Sequence, residues 1–316
     1  MIDAAEDAVT LHLPAVTTSM LGVIVPVGPN HDPVNSVITS DHSATTSGVD
    51  TAHLVIVNGT DASSRVADIR SRLAPIDDRL AIVAINGPIG YIRAVRHGLR
   101  MADQLGLRSD RVGFLDADAE LRSIEHWQVA NLMLDESPNL DATSGLVVHA
   151  KCRVWETLSS ATFVAAMERA SGAPVCKPYV QGGAGGTLAR REPFARAVND
   201  ALRLDTLIGP TLSASSLAAG RRVLATSALP CGHTPRRTMQ EWTASVTAYE
   251  QSWRSLVELF GSDIEKPWQQ FLDEAEQALA GNMKLLTDMR YNAALRQDVV
   301  IRVEAQRRAL QAAGAR

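Results

Sequence analysis

The stretch VGFLDADAEL, residues 112 to 121, is an apolar run that ends in three acids. Val112, Phe114 and Leu115 read as a strand entering a core, and Asp116, Asp118 and Glu120 follow with only alanines between them. Runs of the same kind precede it. LGVIVPV, residues 21 to 27, stops at Gly28, Pro29 and Asn30; HLVIVNGTD, residues 53 to 61, turns at Asn58-Gly59; RLAIVAI, residues 79 to 85, closes at Asn86-Gly87-Pro88. Uninterrupted apolar runs bounded by turn residues predict buried strands. Between them, SSRVADIRSRLA and GYIRAVRHGLRMADQLG carry apolar residues at helical spacing: Val66, Ile69 and Leu73, then Ile92, Val95, Leu99 and Ala102. Strands alternating with helices predict an α/β fold, a parallel sheet covered on both faces, with ligands beyond the carboxyl ends of the strands. Asp116 and Asp118 stand at that position.

The rest of the chain is less regular. The polar segment 30–50 predicts a short helix and a loop. DATSGLVVHA, residues 141 to 150, and RRVLATSALP, residues 221 to 230, predict further strands. VWETLSSATFVAAMERASG predicts a helix, and KPYVQGGAGGTLARREPF a glycine-rich loop running into a helix start. From about Thr238 the pattern is helical, with apolar faces from Trp242, Trp253, Leu256, Leu259, Phe260, Trp268 and Phe271 and breaks near Gly261 and Pro267. The expected organisation is an α/β domain over residues 1–237 and a helical extension over 238–316. The apolar residues of the extension would form core or a homodimer surface.

Bulk properties narrow the function. Hydrophobic residues are 46% and charged residues 21% of 316, ordinary values for a globular protein with a sizeable core. A net charge of -4 argues against a nucleic-acid partner held through its phosphates. Cys152, Cys176 and Cys231 form no CxxC pair, which fits a reducing compartment. No apolar run has the length of a membrane span, and the acidic N-terminus lacks the basic and apolar regions of a signal peptide. The expected location is the cytoplasm.

Two carboxylates one residue apart at a strand end repel each other, by roughly 4 kcal/mol for charges about 4 Å apart at an effective dielectric near 20. Either a cation bridges them, or they cap the next helix and point into water. Oxygen ligands suit Mg²⁺ or Mn²⁺, commonly together with substrate phosphates.

Taken in order, VIVPV, VIVNGTD, NGPIGYIRAVRHGLRMA and FLDADAE resemble the nucleotide-sugar glycosyltransferases of the inverting family 2 type, over about residues 20–125 and more loosely to about 240. The resemblance implies the GT-A fold, a Rossmann-like mostly parallel sheet. It implies metal-dependent transfer of a sugar from a nucleoside diphosphate donor, UDP favoured, to a small-molecule or glycan acceptor through a hydroxyl or amine. By position, Pro26 and Val27 would line the nucleotide pocket, with Asn86, Gly87 and Ala117 belonging to the same pocket. Asp61 would contact base or ribose, and Asn58, which replaces the acids usual in this turn, would be its neutral partner. Arg93 would face the phosphates. Asp116 would lie near ribose and metal, and Asp118 would ligate the metal, Mn²⁺ or Mg²⁺.

Three later segments complete the expected site. Gly182, Gly183, Gly185 and Gly186 let backbone approach a ligand closely, or form a surface loop. Asp205 is the candidate general base, with Asp200 second, although Leu204 stands where the resemblance implies an acid. In LPCGHTPRRTMQEW, His233 is the candidate third metal ligand, and Arg236 and Arg237 are candidates to neutralise a diphosphate. The weak match of Gln240 and Trp242 to the processive motif implies a non-processive enzyme. Two alternatives stand beside this reading: a sugar-phosphate nucleotidyltransferase, and a catalytically degenerate GT-A domain acting as a scaffold.

Overall fold

The computed structural model describes residues 8–12, 19–87, 89–108, 110–147, 161–180, 182–233, 239–278 and 280. In chain order the elements are β1 (Ala8–His12), β2 (Leu21–Val27), α1 (Val34–Ser47), β3 (Thr51–Gly59), α2 (Ala62–Arg72), β4 (Leu80–Asn86), α3 (Tyr91–Gln104), β5 (Arg111–Phe114), β6 (Ala119–Leu121) and α4 (His126–Glu136). There follow β7 (Leu140–Val147), α5 (Ala161–Ser171), β8 (Cys176–Lys177), β9 (Thr187–Arg190), α6 (Arg191–Leu204), α7 (Ile208–Ala218), β10 (Arg222–His233), α8 (Met239–Phe260) and α9 (Lys266–Ala278). Among the described residues ten strands join in one sheet, in the order β1-β4-β3-β2-β5-β9-β7-β10-β6, with β8 on β10.

The four strands expected first form the block β4-β3-β2-β5, and every pairing within it is parallel. All residues of β2 and β3 are buried, as strands covered on both faces require. On one face Val25, Val57 and Ile82 pack with Val37, Val66, Ile69 and Trp127 of α1, α2 and α4. On the other, Ile24, Ile56 and Val83 pack with Val95 and Leu99 of α3 and Phe194 and Val198 of α6. Parallel strands put their carboxyl ends on one edge, so the tips carrying Asn58, Asn86 and Asp116 lie side by side.

Beyond β5 the sheet is mixed. β9 runs antiparallel between β5 and β7, β7 pairs parallel with β10, and the end of β10 pairs antiparallel with β6. Most paired residues still lie in parallel ladders, but β1, β6, β8 and β9 add antiparallel pairing that the sequence pattern does not announce. β6 and β8 have 3 and 2 residues, too few for any periodicity to show. The 14-residue α1 replaces the expected short helix. Its buried face is built from Ser36, Ser40, Ser43 and Ala44 as well as Val37, so it carries little apolar period.

The C-terminal helices belong to the same body. Trp253, Leu256 and Phe260 of α8 pack on Ala214 and Leu217 of α7. Phe271 and Ala275 of α9 pack with Leu146 and Ala225 of the sheet and Met167 of α5. Residues 281–316, the last part of the expected extension, lie outside the described residues. Among the described residues no helix is long and apolar enough to cross a membrane.

Two histidines inside this core make stability depend on pH. His53 Nε2 lies 2.9 Å from Ser40 Oγ, which also accepts the Trp127 indole N–H at 3.0 Å. His126 Nε2 lies 2.7 Å from the Gly186 carbonyl oxygen. Burial, with the Arg79 charge, lowers the His53 pKa from 6.5 to about 3. Burial lowers that of His126 to about 4, against the Gly186 carbonyl, which raises it. Both folded values lie below the unfolded one, so as the pH falls below 6.5 the unfolded chain takes up the protons first. Stability is full above that point and drains away toward pH 4 for His126 and pH 3 for His53, by about 1 kcal/mol per histidine at pH 5.5. Urea unfolding at pH 7.5 and 5.5 is expected to show that loss, and equal stability at both would contradict it.

Candidate functional site

Asp116 stands two residues beyond the end of β5, and the chain then turns sharply: the Ala119 amide donates to the Asp116 carbonyl at 3.1 Å. The turn is held from α1. The Ser36 hydroxyl donates to the Ala117 carbonyl at 2.7 Å, and Thr39 Oγ1 accepts the Leu121 amide at 3.2 Å. Ala117, 4% exposed, points into the core, while Asp116 and Asp118 on either side of it remain partly exposed. The alanine thus anchors the turn and the acids flank it. Glu120, the third acid, falls on β6 opposite Gly232 and does not join them.

A strand from late in the chain completes the cluster. Between Thr226 and Cys231 the register of β10 against β7 shifts, and the strand then pairs with β6, placing His233 opposite Ala119. Extra residues inserted into one strand of a pair bend that strand and re-aim its side chains. Here it brings His233 Nε2 to 3.2 Å from Asp118 Oδ1. Ligand atoms of Asp116, Asp118 and His233 all lie within 4.8 Å of one another. These three side chains, two of them near neighbours in sequence and the third from late in the chain, are the ones expected as metal ligands.

The glycine-rich segment backs this cluster. A short 3-10 turn, Gly182–Gly185, leads into β9. The Asp116 amide donates to the Gly183 carbonyl at 3.0 Å, and a methyl group on Gly183 would collide with the Asp116 carboxylate and lie 2.7 Å from its amide nitrogen. Gly186, at φ +60°, is pressed against Leu121 and His126, and Gly185 against the Gly145 carbonyl. At Gly183, Gly185 and Gly186 the absence of a side chain is required by protein neighbours.

The other expected residues are placed as follows. Pro26 and Val27 are buried at the end of β2, and the Val27 side chain packs in the core with Val37 and Val57. Its carbonyl accepts the Asn58 side-chain amide at 3.0 Å, so Asn58 is tied to the strand tip. Asp61 precedes α2 and its carbonyl accepts the Ser64 hydroxyl at 2.8 Å. Asn86 Oδ1 accepts the Ser63 hydroxyl at 3.1 Å, and the Gly87 amide donates to the Gly59 carbonyl at 3.2 Å, locking the tips of β3 and β4 together. Arg93 is exposed on the first turn of α3. Asp205 is exposed and ends α6 in the left-handed region, at φ 53°, and Gly209, shortly beyond it, packs by Gly182. Asp200 is paired with Arg203 at 3.0 Å. Arg236 and Arg237 lie outside the described residues.

Sequence reasoning missed Tyr91, the first residue of α3. Its hydroxyl donates to Asp116 Oδ1, and its ring tilts against Phe114 with centroids 6.0 Å apart. Burial of the hydroxyl, with the negative charges of Asp116 and Asp118 beside it, holds its pKa well above the usual phenol value. Residues two apart on a helix do not share a face, so with Tyr91 turned to Asp116, Arg93 faces solvent. Ser36 was missed too. The spacing Ser36, Ser40, Ser43 is helical, but small polar residues do not register as a buried face.

No protein-family model and no curated protein matches the chain. Among solved structures it is similar to a mannosyltransferase from Pyrobaculum calidifontis in complex with GDP-Man and Mn²⁺. The likeness has a TM-score of 0.52 and 17% sequence identity and covers 95% of this chain and 87% of that one. The two proteins share a fold: a mixed α/β architecture with a mostly parallel sheet.

Proposed function

We propose that the chain is a metal-dependent, non-processive glycosyltransferase of the GT-A type, moving a sugar from a nucleoside diphosphate donor to an acceptor hydroxyl or amine. The observation that carries this reading is the meeting of Asp116, Asp118 and His233 at the carboxyl edge of the parallel block. Two carboxylate oxygens and an imidazole nitrogen form a donor set that suits Mn²⁺ better than Mg²⁺. A cation held there supplies Lewis-acid charge to the leaving diphosphate. Asn58 and Asp61 at the tip of β3, with Asn86 at the tip of β4, are the proposed holders of base and ribose. From β3 across β2 to β5 is two strand spacings, ~10 Å, within the reach of a nucleoside diphosphate. Asp205 is the proposed base that takes the acceptor proton, a role that goes with inversion. Arg93 and Arg236 are proposed diphosphate contacts, and α8 and α9 a proposed cover on the acceptor side or a surface for a second copy.

UDP is the donor base implied by the sequence resemblance. The fold shared with a protein solved with GDP-Man puts GDP beside it as a candidate. Calorimetric titration of UDP, GDP, dTDP and ADP, each with and without Mn²⁺, tests the proposal. One nucleotide is expected to bind with an affinity that depends on the metal. No metal-linked binding of any of them would sink the transferase reading and favour the scaffold.

A further inference from the structure

Asp116 is gripped at two points. Its amide donates to the Gly183 carbonyl at 3.0 Å, which fixes its backbone. Its Oδ1 accepts the Tyr91 hydroxyl, which fixes the carboxylate plane. Asp118 is held differently, by His233 at 3.2 Å. Tyr91 is itself well placed to stay put. It opens α3 directly after Gly90, whose φ of 78° favours glycine, and its ring leans on Phe114, two residues before Asp116 on the adjoining strand. Tyr91 as a whole residue is 43% exposed, so it is not one of the core residues.

We infer that Tyr91 is a positioning residue that presets the Asp116 carboxylate for the cation. This rests on the proposed metal reading of the site. A free carboxylate must be ordered when a cation arrives; here the hydroxyl already holds one orientation of it, within reach of Asp118 and His233. The hydroxyl also shares the negative charge that the two acids would otherwise present to each other while no cation is bound. Partners that orient a metal ligand in this way typically change metal affinity by about 10-fold or more when removed.

Tyr91→Phe removes the hydroxyl and keeps the ring on Phe114, so the fold is expected to survive, as a thermal melt will show. Mn²⁺ binding is read by the electron paramagnetic resonance signal of the free ion, in wild type, Tyr91→Phe and Asp118→Ala. The expected result is Mn²⁺ affinity about 10-fold weaker in Tyr91→Phe, with nucleotide binding in the absence of metal unchanged. A purely structural role would lower the melting temperature and leave Mn²⁺ affinity where it was. Wild type that binds Mn²⁺ through Asp118, together with Tyr91→Phe that binds within twofold of it, overturns this inference alone. Wild type that binds no Mn²⁺ overturns the metal reading and this inference with it.

Discussion

Asp118→Ala is expected to lose metal-linked nucleotide binding altogether and to transfer sugar about 10³-fold more slowly, if the proposed reaction holds. The size follows from the geometry. The cluster offers one ligand atom from each of Asp116, Asp118 and His233. Removing Asp118 takes away the central carboxylate, the one that also touches His233, and leaves an oxygen and a nitrogen from different strands with nothing between them. Nucleotide affinity measured with Mn²⁺ should fall to the value measured without it. Stability provides the contrast. Mn²⁺ should raise the melting temperature of wild type, because a cation that binds only the folded state stabilises it by mass action. It should leave Asp118→Ala unmoved. The metal-free variant should melt close to the wild type, since the loss of one hydrogen bond is offset by relief of the repulsion between two acids. A variant that keeps metal-linked binding would show that Asp118 only caps the turn.

How much of this could be read from the chain depended on the length of each signal. The parallel block was legible because β2, β3 and β4 are unbroken apolar runs, and only burial on both faces rewards such runs. The candidate cluster was legible at Asp116 and Asp118 through local spacing, and at His233 through the resemblance. What brings His233 to the acids was not legible: a register shift in β10 and a three-residue partner strand, β6, both set by tertiary pairing. Tyr91 was hidden for another reason. Its role depends on the angle at which α3 leaves β4, and the sequence of a helix start does not carry that angle. α1 shows the limit of hydrophobic pattern itself, because its buried face is largely serine and its contribution is made through hydrogen bonds to Ala117 and within the Trp127 and His53 network.

Gly183→Ala carries the second large effect, and it tests what the glycine-rich segment is for. At Gly220, which ends a helix at φ 69° in open space, alanine is expected to cost about 1 kcal/mol, the conformational penalty alone. At Gly183 the φ is not in the left-handed region, so that penalty is absent and the cost is steric. The added methyl meets the Asp116 carboxylate and its amide nitrogen. The carboxylate could swing away, but only by breaking from Tyr91. The amide cannot move alone, because it is bonded to the Gly183 carbonyl. That carbonyl also accepts the Gly186 amide at 3.0 Å, and Thr187 Oγ1 donates to the Gly182 carbonyl at 2.6 Å. The loop and the acid turn must therefore separate as units, at a cost of about 2–3 kcal/mol for overpacking of a buried site. The variant should melt several degrees lower than Gly220→Ala and bind Mn²⁺ at least about tenfold more weakly than wild type, since the first carboxylate is displaced. If the glycines instead serve a ligand directly, Gly183→Ala would melt like wild type and keep its Mn²⁺ affinity in the absence of nucleotide, losing only nucleotide binding. Melting curves and metal titrations without nucleotide decide between the two.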